Sequence, residues 1–274
     1  MLSTSTFRAP RRLSVAGLAL AALALSACGS SGDSSEDAAA ASLQSVKDEG
    51  VLVVGTEGTY PPFTYHENGN GDLTGYDVEV AEAVGEELGV EVQFEETQWD
   101  AIFAGLEAGR FDMIANQVSI TPEREAEYVF SLPYTFSKGV VVVNEGDSSI
   151  GSFEDLEGKT TAQSLTSNWY ELAEQSGANI ENVEGWAQAV ALLQQGRVDA
   201  TVNDELTFLD YQNTEGDTSL EIAVTTEEQA RNAFAFRTGG DDLAEAVDAA
   251  LEKLRKDGTL AEISEKYFGA DVSS

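Results

Sequence analysis

The chain has 274 residues, with 49 acidic against 15 basic side chains, a formal net charge of −34 and a single cysteine. Such an excess of negative charge excludes nucleic acid and anionic lipid as partners, because both are polyanions. One cysteine excludes an intrachain disulfide framework.

In chain order, Arg8, Arg11 and Arg12 come first, followed by an apolar run over 13–25 and then Ser26-Ala27-Cys28. This is the layout of a secretory leader over 1–27, too short for a comfortable membrane span. The leader carries three arginines and no acid, so its loss deepens the negative charge. Residues 28–42 are small and polar, a flexible tether. The remaining 230 or so residues are ample for two modest lobes with their own cores. A short helix, SLQSVKDEG, precedes a buried strand over 51–55. Segments 63–65 and 73–75 flank the polar turn HENGNGD. A helix is predicted over 77–88, with Gly89 at its end, and a strand over 90–94. Thr97 with Asp100 resembles a capping box for a helix opening at Trp99 and stopping at Gly109. Strands over 112–116 and 140–144 follow. Segment 158–163 restarts the pattern of the first strand. Helices over 168–176 and 204–212, a strand over 232–236, and helices over 242–256 and 260–267 complete the chain. Strands alternating with helices imply largely parallel α/β sheets.

Part of this pattern occurs twice. Trp99 opens WDAIFAGLEA and Trp186 opens WAQAVALLQQ; each run ends in Gly-Arg-x-Asp and continues into a short apolar strand. At one constant offset Asn116 matches Asn203, and Gln117 matches Asp204. Two copies are too few for a solenoid, and two similar lobes facing each other across a cleft fit better. Arg110 and Arg197 follow helix ends, where a cation favours the dipole and solvent is near, so neither is a candidate for ligand. Ser119-Ile120-Thr121-Pro122-Glu123-Arg124 carries more chemistry. Thr121 suits a helix N-cap with Pro122 at the first helical position, which sets free N–H groups beside the Arg124 guanidinium. That pairing suits a carboxylate. Asn68, Asn70, Asp72 and Glu79 share a calcium-loop spacing, but Leu73 stands where the loop needs glycine; no metal and no cofactor is expected.

Several motifs together resemble a known family. SITPER with FSLPY, the opening GTEGTYPPF, QSLTSN and the closing DGTLAEISEKYFG are similar, in order, to the polar amino-acid-binding proteins of ABC importers. The resemblance runs from about residue 43 to 272. It implies a two-lobed, type II periplasmic-binding-protein-like α/β fold, with lobe 1 as 43–135 plus 233–274, lobe 2 as 136–232, and two hinge strands beside the ligand cleft. By the same resemblance Arg124 holds the ligand α-carboxylate, helped by Ser119 and Thr166. Asp204 takes the α-ammonium, and Tyr60 and Phe63 wall the first lobe. Trp99 lies beside the side-chain pocket, Gln117 and Thr121 add polar contacts, and Glu57 reaches the ligand side chain. GTEGTYPPFTYH, WDAIFAGL, ANQVSIT and AQSLTSNW look closest to the cystine-binding branch. Leu25-Ser26-Ala27-Cys28 resembles a bacterial lipoprotein box, implying cleavage before Cys28 and lipid on it; Arg11-Arg12 also resembles a twin-arginine signal. Implied partners are an amino acid, a permease and, through it, an ATPase, with the receptor a monomer on the outer face of the cell membrane and in contact with lipid only through its N-terminus. The resemblance implies no enzyme. Its alternatives are a cyclohexadienyl- or arogenate-type dehydratase on the same fold, or an amino-acid sensor subunit.

Overall fold

The computed structural model describes residues 40–216 and 219–274. The predicted leader, Cys28 and nearly all of the tether lie outside them.

The first half opens with α1, Leu43–Glu49, whose N-cap Ser42 exchanges capping bonds with Ser45 and whose C-cap Gly50 is left-handed. β1, Val51–Thr56, follows. A small antiparallel sheet of β2 (Thr59–Tyr60), β3 (Thr64–His66) and β4 (Leu73–Thr74) leads into α2, Tyr76–Leu88. Then come β5 (Glu91–Glu96), α3 (Trp99–Glu107), β6 (Met113–Ser119), the single turn α4 (Pro122–Glu125) and β7 (Tyr128–Phe130). β8, Thr135–Asn144, leaves this half. The second half holds β9 (Thr160–Gln163), α5 (Asn168–Gln175), β10 (Asn179–Asn182), α6 (Trp186–Gln194), β11 (Ala200–Asp204) and α7 (Glu205–Glu215). β12, Leu220–Arg237, returns, and α8 (Asp241–Asp257) and α9 (Thr259–Phe268) pack on the first half.

The main sheet runs β10-β9-β11-β8-β12-β6-β1-β5. It is symmetric about its middle. Three parallel strands, β5-β1-β6, meet β12 antiparallel; three parallel strands, β10-β9-β11, meet β8 antiparallel. β8 and β12 pair with each other antiparallel from Thr135↔Asn232 to Asn144↔Leu220 and join the two lobes. Each sheet half is covered on both faces, so its strands read as short continuous apolar runs. In the first half one core gathers Phe63, Tyr76, Tyr134, Phe234, Phe236 and Leu251, and the other packs α3 through Ile102 and Leu106 on Phe111 and Ile114. In the second half α6 and α7 cover one face through Trp186, Leu193 and Phe208, and α5 lies on the other through Ala173.

Three expectations need correction. β12 extends far beyond the predicted 232–236, because its middle is polar and half-exposed and carries no periodic signal. β8 starts earlier than predicted, and both joining strands are antiparallel in an otherwise parallel pattern. The Thr97–Asp100 capping box does not form: Gln98 is the N-cap of α3 and makes no side-chain cap bond. The Asp100 carboxylate accepts from the Thr166 N–H and hydroxyl instead, both at 3.2 Å, from the other half of the molecule.

Candidate functional site

The duplicated segment builds its two halves in the same way. Gly109 and Gly196 take φ of 68° and 65°, which turns each chain out of its helix. The aspartate three residues on then clamps the neighbouring strand. Asp112 accepts from the Val53 N–H at 2.8 Å and returns its own N–H to the Val53 carbonyl; Asp199 does the same with Thr160, at 2.7 and 2.8 Å. Arg110 and Arg197 are exposed. These bonds fix the register of β6 and β11, whose C-terminal ends carry the polar residues of the site.

On β6, Asn116 holds Glu57: its Oδ1 accepts from the Glu57 N–H at 2.8 Å and its Nδ2 donates to the Glu57 carboxylate at 2.6 Å. Gln117 sits at φ 49°, in the left-handed region that a non-glycine residue adopts only under constraint. The constraint is Asp77, in the first turn of α2, which accepts from both the Gln117 N–H and its Nε2 at 2.6 Å. Gln117 also donates to Thr135 on β8 and accepts from Asn232 on β12, and Ser119 donates to Asn232. The strand end is thereby tied to both joining strands. On β11, Asn203 accepts from the Tyr60 hydroxyl at 2.9 Å. Asp204 caps α7 through the Leu206 N–H and accepts from the Ser137 hydroxyl.

Arg124 stands on α4, whose N-cap Thr121 accepts from the Arg124 N–H at 3.3 Å and whose first residue is Pro122. Its guanidinium donates to the Ser119 carbonyl at 2.9 Å and, across the cleft, to the Thr166 carbonyl at 3.0 Å. The Trp99 and Phe103 rings lie under it, with centroids at 5.5 and 5.3 Å. Burial lowers its pKa to about 10, so it stays charged at neutral pH. Among the described residues no carboxylate lies within ion-pair distance of it, though Glu171 acts on its charge from further away. The acids show the converse. Burial pushes Glu57 up to about 7, against opposing hydrogen bonds from Asn116 and the Trp99 backbone. Burial likewise pushes Asp77 to about 7 and Asp204 to about 6. None of the three faces a cation among the described residues.

A cavity partly open to solvent lies between the halves. Of the residues expected at the site, Glu57, Tyr60, Trp99 and Gln117 line it. Arg124, Asp204, Ser119, Thr121 and Thr166 are outside this lining. Phe63 is fully buried in the first core, where its ring supports Tyr60 at 5.2 Å. The sequence reading missed Gln163 and Trp169, which wall the second half, and Asp77. Gln163 ends the segment that restarts the first strand's pattern, and both Gln163 and Trp169 fall within the quoted motif AQSLTSNW, the signals that could have found them. All three tryptophans of the chain, Trp99, Trp169 and Trp186, line the cavity. Trp169 packs on the joining strand where Gly139 leaves room: a β-carbon there would lie 2.4 Å from its ring.

The cleft is shut. Besides Arg124–Thr166 and Asp100–Thr166, Gln98 donates to Glu184 at 3.0 Å, and the Tyr60 hydroxyl accepts from Thr207 at 3.0 Å while bonded to Asn203. A polar cavity between two lobes that hydrogen-bond across it defines a two-lobed ligand-binding protein.

The chain belongs to the bacterial extracellular solute-binding proteins, family 3, whose model matches residues 52–270. It is 51% identical to the L-cystine-binding protein TcyA of Bacillus subtilis (strain 168), over 91% of this chain and 94% of that one. An ancestral arginine-binding protein bound to arginine superposes with a TM-score of 0.75 at 36% identity, covering 80% of this chain and 99% of its own. The L-cystine solute receptor of Neisseria gonorrhoeae, in its unliganded open conformation, is more similar in sequence at 45%, over 85% of this chain and 100% of its own, yet superposes with a TM-score of only 0.58. Higher identity with poorer superposition is what a shut cleft gives against an open one.

Proposed function

We propose that this protein is the extracytoplasmic substrate-binding component of an amino-acid ABC importer, and that it closes on a zwitterionic amino acid, L-cystine first among them, for delivery to a permease. The observation that carries this is the charge layout. Among the described residues Arg124, on one side of the cleft, makes no ion pair, and Asp204, buried on the other, makes none either. The buried Asp204 charge is costly without a cation, and the half-buried Arg124 donates only to carbonyls, so each is suited to one end of a zwitterion. Arg124 takes the α-carboxylate, which displaces the Ser119 and Thr166 carbonyls from one or both of its donors. Asp204 takes the α-ammonium. A ligand that bridges both charges binds the shut form better and shifts the population toward it. Tyr60, Phe63 beneath it, Trp99, Gln117, Thr121 and Glu57 complete the walls and supports. We take the lobes as 43–135 with 233–274, and 136–232.

The relatives support cystine over other ligands, since TcyA, an L-cystine-binding protein, matches nearly the whole chain. The family consists of binding proteins, and a dehydratase has less support. Calorimetry against the twenty amino acids and L-cystine tests the reading: stoichiometric binding of cystine, lost in Arg124→Ala and Asp204→Ala, is expected. Undiminished binding in either variant would remove that residue from the site. We further propose that Cys28 carries lipid and that the receptor works as a monomer. Mass spectrometry of the exported protein, with Cys28→Ala as control, reads the first, and light scattering the second.

A further inference from the structure

Three side chains that line the cavity have no task in holding an α-amino-acid head by Arg124 and Asp204. The Trp99 indole N–H and the Gln163 amide nitrogen are buried and have no hydrogen-bond partner among the described residues. Trp99 opens α3 in the first half, Gln163 closes β9 in the second, and both line the cavity. Glu57 lines it too; its carboxylate accepts from Asn116 at 2.6 Å and from the Trp99 backbone, and it faces no cation among the described residues. No lysine or arginine is among the lining residues.

Each of these is costly if left unsatisfied, the donors as buried N–H groups and the acid as a buried charge. The set therefore asks for a ligand end that accepts twice and also brings a positive charge. An arginine or lysine side chain would meet Glu57 but offer the two N–H groups only further donors. A glutamine amide would accept from them but bring a dipole, not a charge, to Glu57. An ammonium and a carboxylate on one carbon satisfy all three.

We propose that Glu57, Trp99 and Gln163 form a subsite for a second zwitterionic amino-acid head, with Glu57 receiving its ammonium and the indole and amide N–H groups its carboxylate. This rests on the amino-acid-binding reading above. It makes the receptor one that measures a bis-amino acid from both ends, selecting against single-headed amino acids by the donors they leave unsatisfied. The subsite binds its carboxylate with neutral donors alone, so it differs in chemistry from the Arg124 end, and Glu57 orients the head by its ammonium.

Calorimetry on the purified protein tests it with five probes: L-cystine, the mixed disulfides of cysteine with cysteamine and with 3-mercaptopropionate, L-arginine and L-glutamine. The cysteamine disulfide lacks the second carboxylate, and the mercaptopropionate disulfide lacks the second ammonium. The wild-type protein is expected to bind cystine at least tenfold more tightly than any of the others. Glu57→Gln is expected to cost cystine and the cysteamine disulfide at least tenfold more than it costs the mercaptopropionate disulfide. Trp99→Phe and Gln163→Leu are expected to show the reverse ranking of the two mixed disulfides. The wild-type series needs no variant to fold, so it decides alone if a substitution disrupts the lobe. Arginine or glutamine matching cystine, or a uniform loss across all probes in Glu57→Gln, overturns the second-head subsite while leaving the amino-acid receptor intact. Binding of no amino acid at all overturns both.

Discussion

Residues 99–117 and 186–204 run through the same helix, turn and strand, and part company only at the last residue. Up to Asn116 and Asn203 the two copies are mechanically equivalent, with the same glycine turn and the same aspartate clamp on the neighbouring strand. At Gln117 the first copy keeps going: β6 continues to Ser119 and its polar side chains tie into both joining strands. At Asp204 the second copy stops and becomes the cap of α7, its carboxylate buried beneath the cleft. The difference teaches that the duplication supplies a rigid frame twice, and that one residue per copy decides whether the frame is spent on hinge or on charge.

The sharpest way to break this comparison is Asp204→Asn, which keeps the cap but removes the charge. We expect a loss of affinity of about 2–5 kcal/mol, the usual range for one partner of a buried charge pair, read by calorimetry. A loss below tenfold would mean that the second copy does not carry the ammonium. The clamps come next. Asp112→Ala and Asp199→Ala each remove the acceptor of a strand N–H, in a half-buried bond at Val53 and an exposed one at Thr160, and should cost about 1 kcal/mol of stability or less in denaturant unfolding. A clear inequality would show that the two frames are not equivalent.

The pH dependence sharpens the comparison further. Asp77 supports the first copy and Asp204 ends the second, and burial holds both carboxyls well above the 3.8 of an unburied aspartate, at about 7 and about 6. The folded chain therefore holds protons that the unfolded chain has lost between about pH 4 and 7. Stability rises as pH falls through that window, by at most about 1.4 kcal/mol per pH unit for each group. Ligand affinity should fall over the same window, because the ammonium needs Asp204 ionised. Melting curves and calorimetry at about pH 5 and pH 8 check both signs; affinity that improves on acidification would contradict the role of Asp204. The smallest expected effect is at the rim: Gln98→Leu removes one exposed cross-cleft bond and should weaken binding by no more than about 1 kcal/mol.

The duplication, most helices and the Thr121–Arg124 turn were legible because each rests on local signals: periodicity, a cap, a glycine. The length of β12 was not, since its central residues are polar and are held as a strand by β8 rather than by their own pattern. Asp77 is only the first residue of the predicted helix over 77–88; the fold alone brings Gln117 onto it, forty residues away in sequence. The Thr97–Asp100 box failed for the same reason, because Thr166 offers Asp100 a distant partner. Phe63 read as a wall and is a support, one layer deeper than any residue pattern distinguishes.

The placement of every tryptophan of the chain on the cavity wall has an optical consequence. Tryptophan emission from this protein, excited apart from tyrosine, comes from the binding chamber, with Trp169 resting on a joining strand and Trp99 beneath a guanidinium. A stopped-flow trace needs no attached dye. Because the cleft is latched from both sides, cargo enters and leaves only as fast as the latches let go. The fluorescence rate should accordingly level off at high ligand concentration, and the plateau is a clock for delivery.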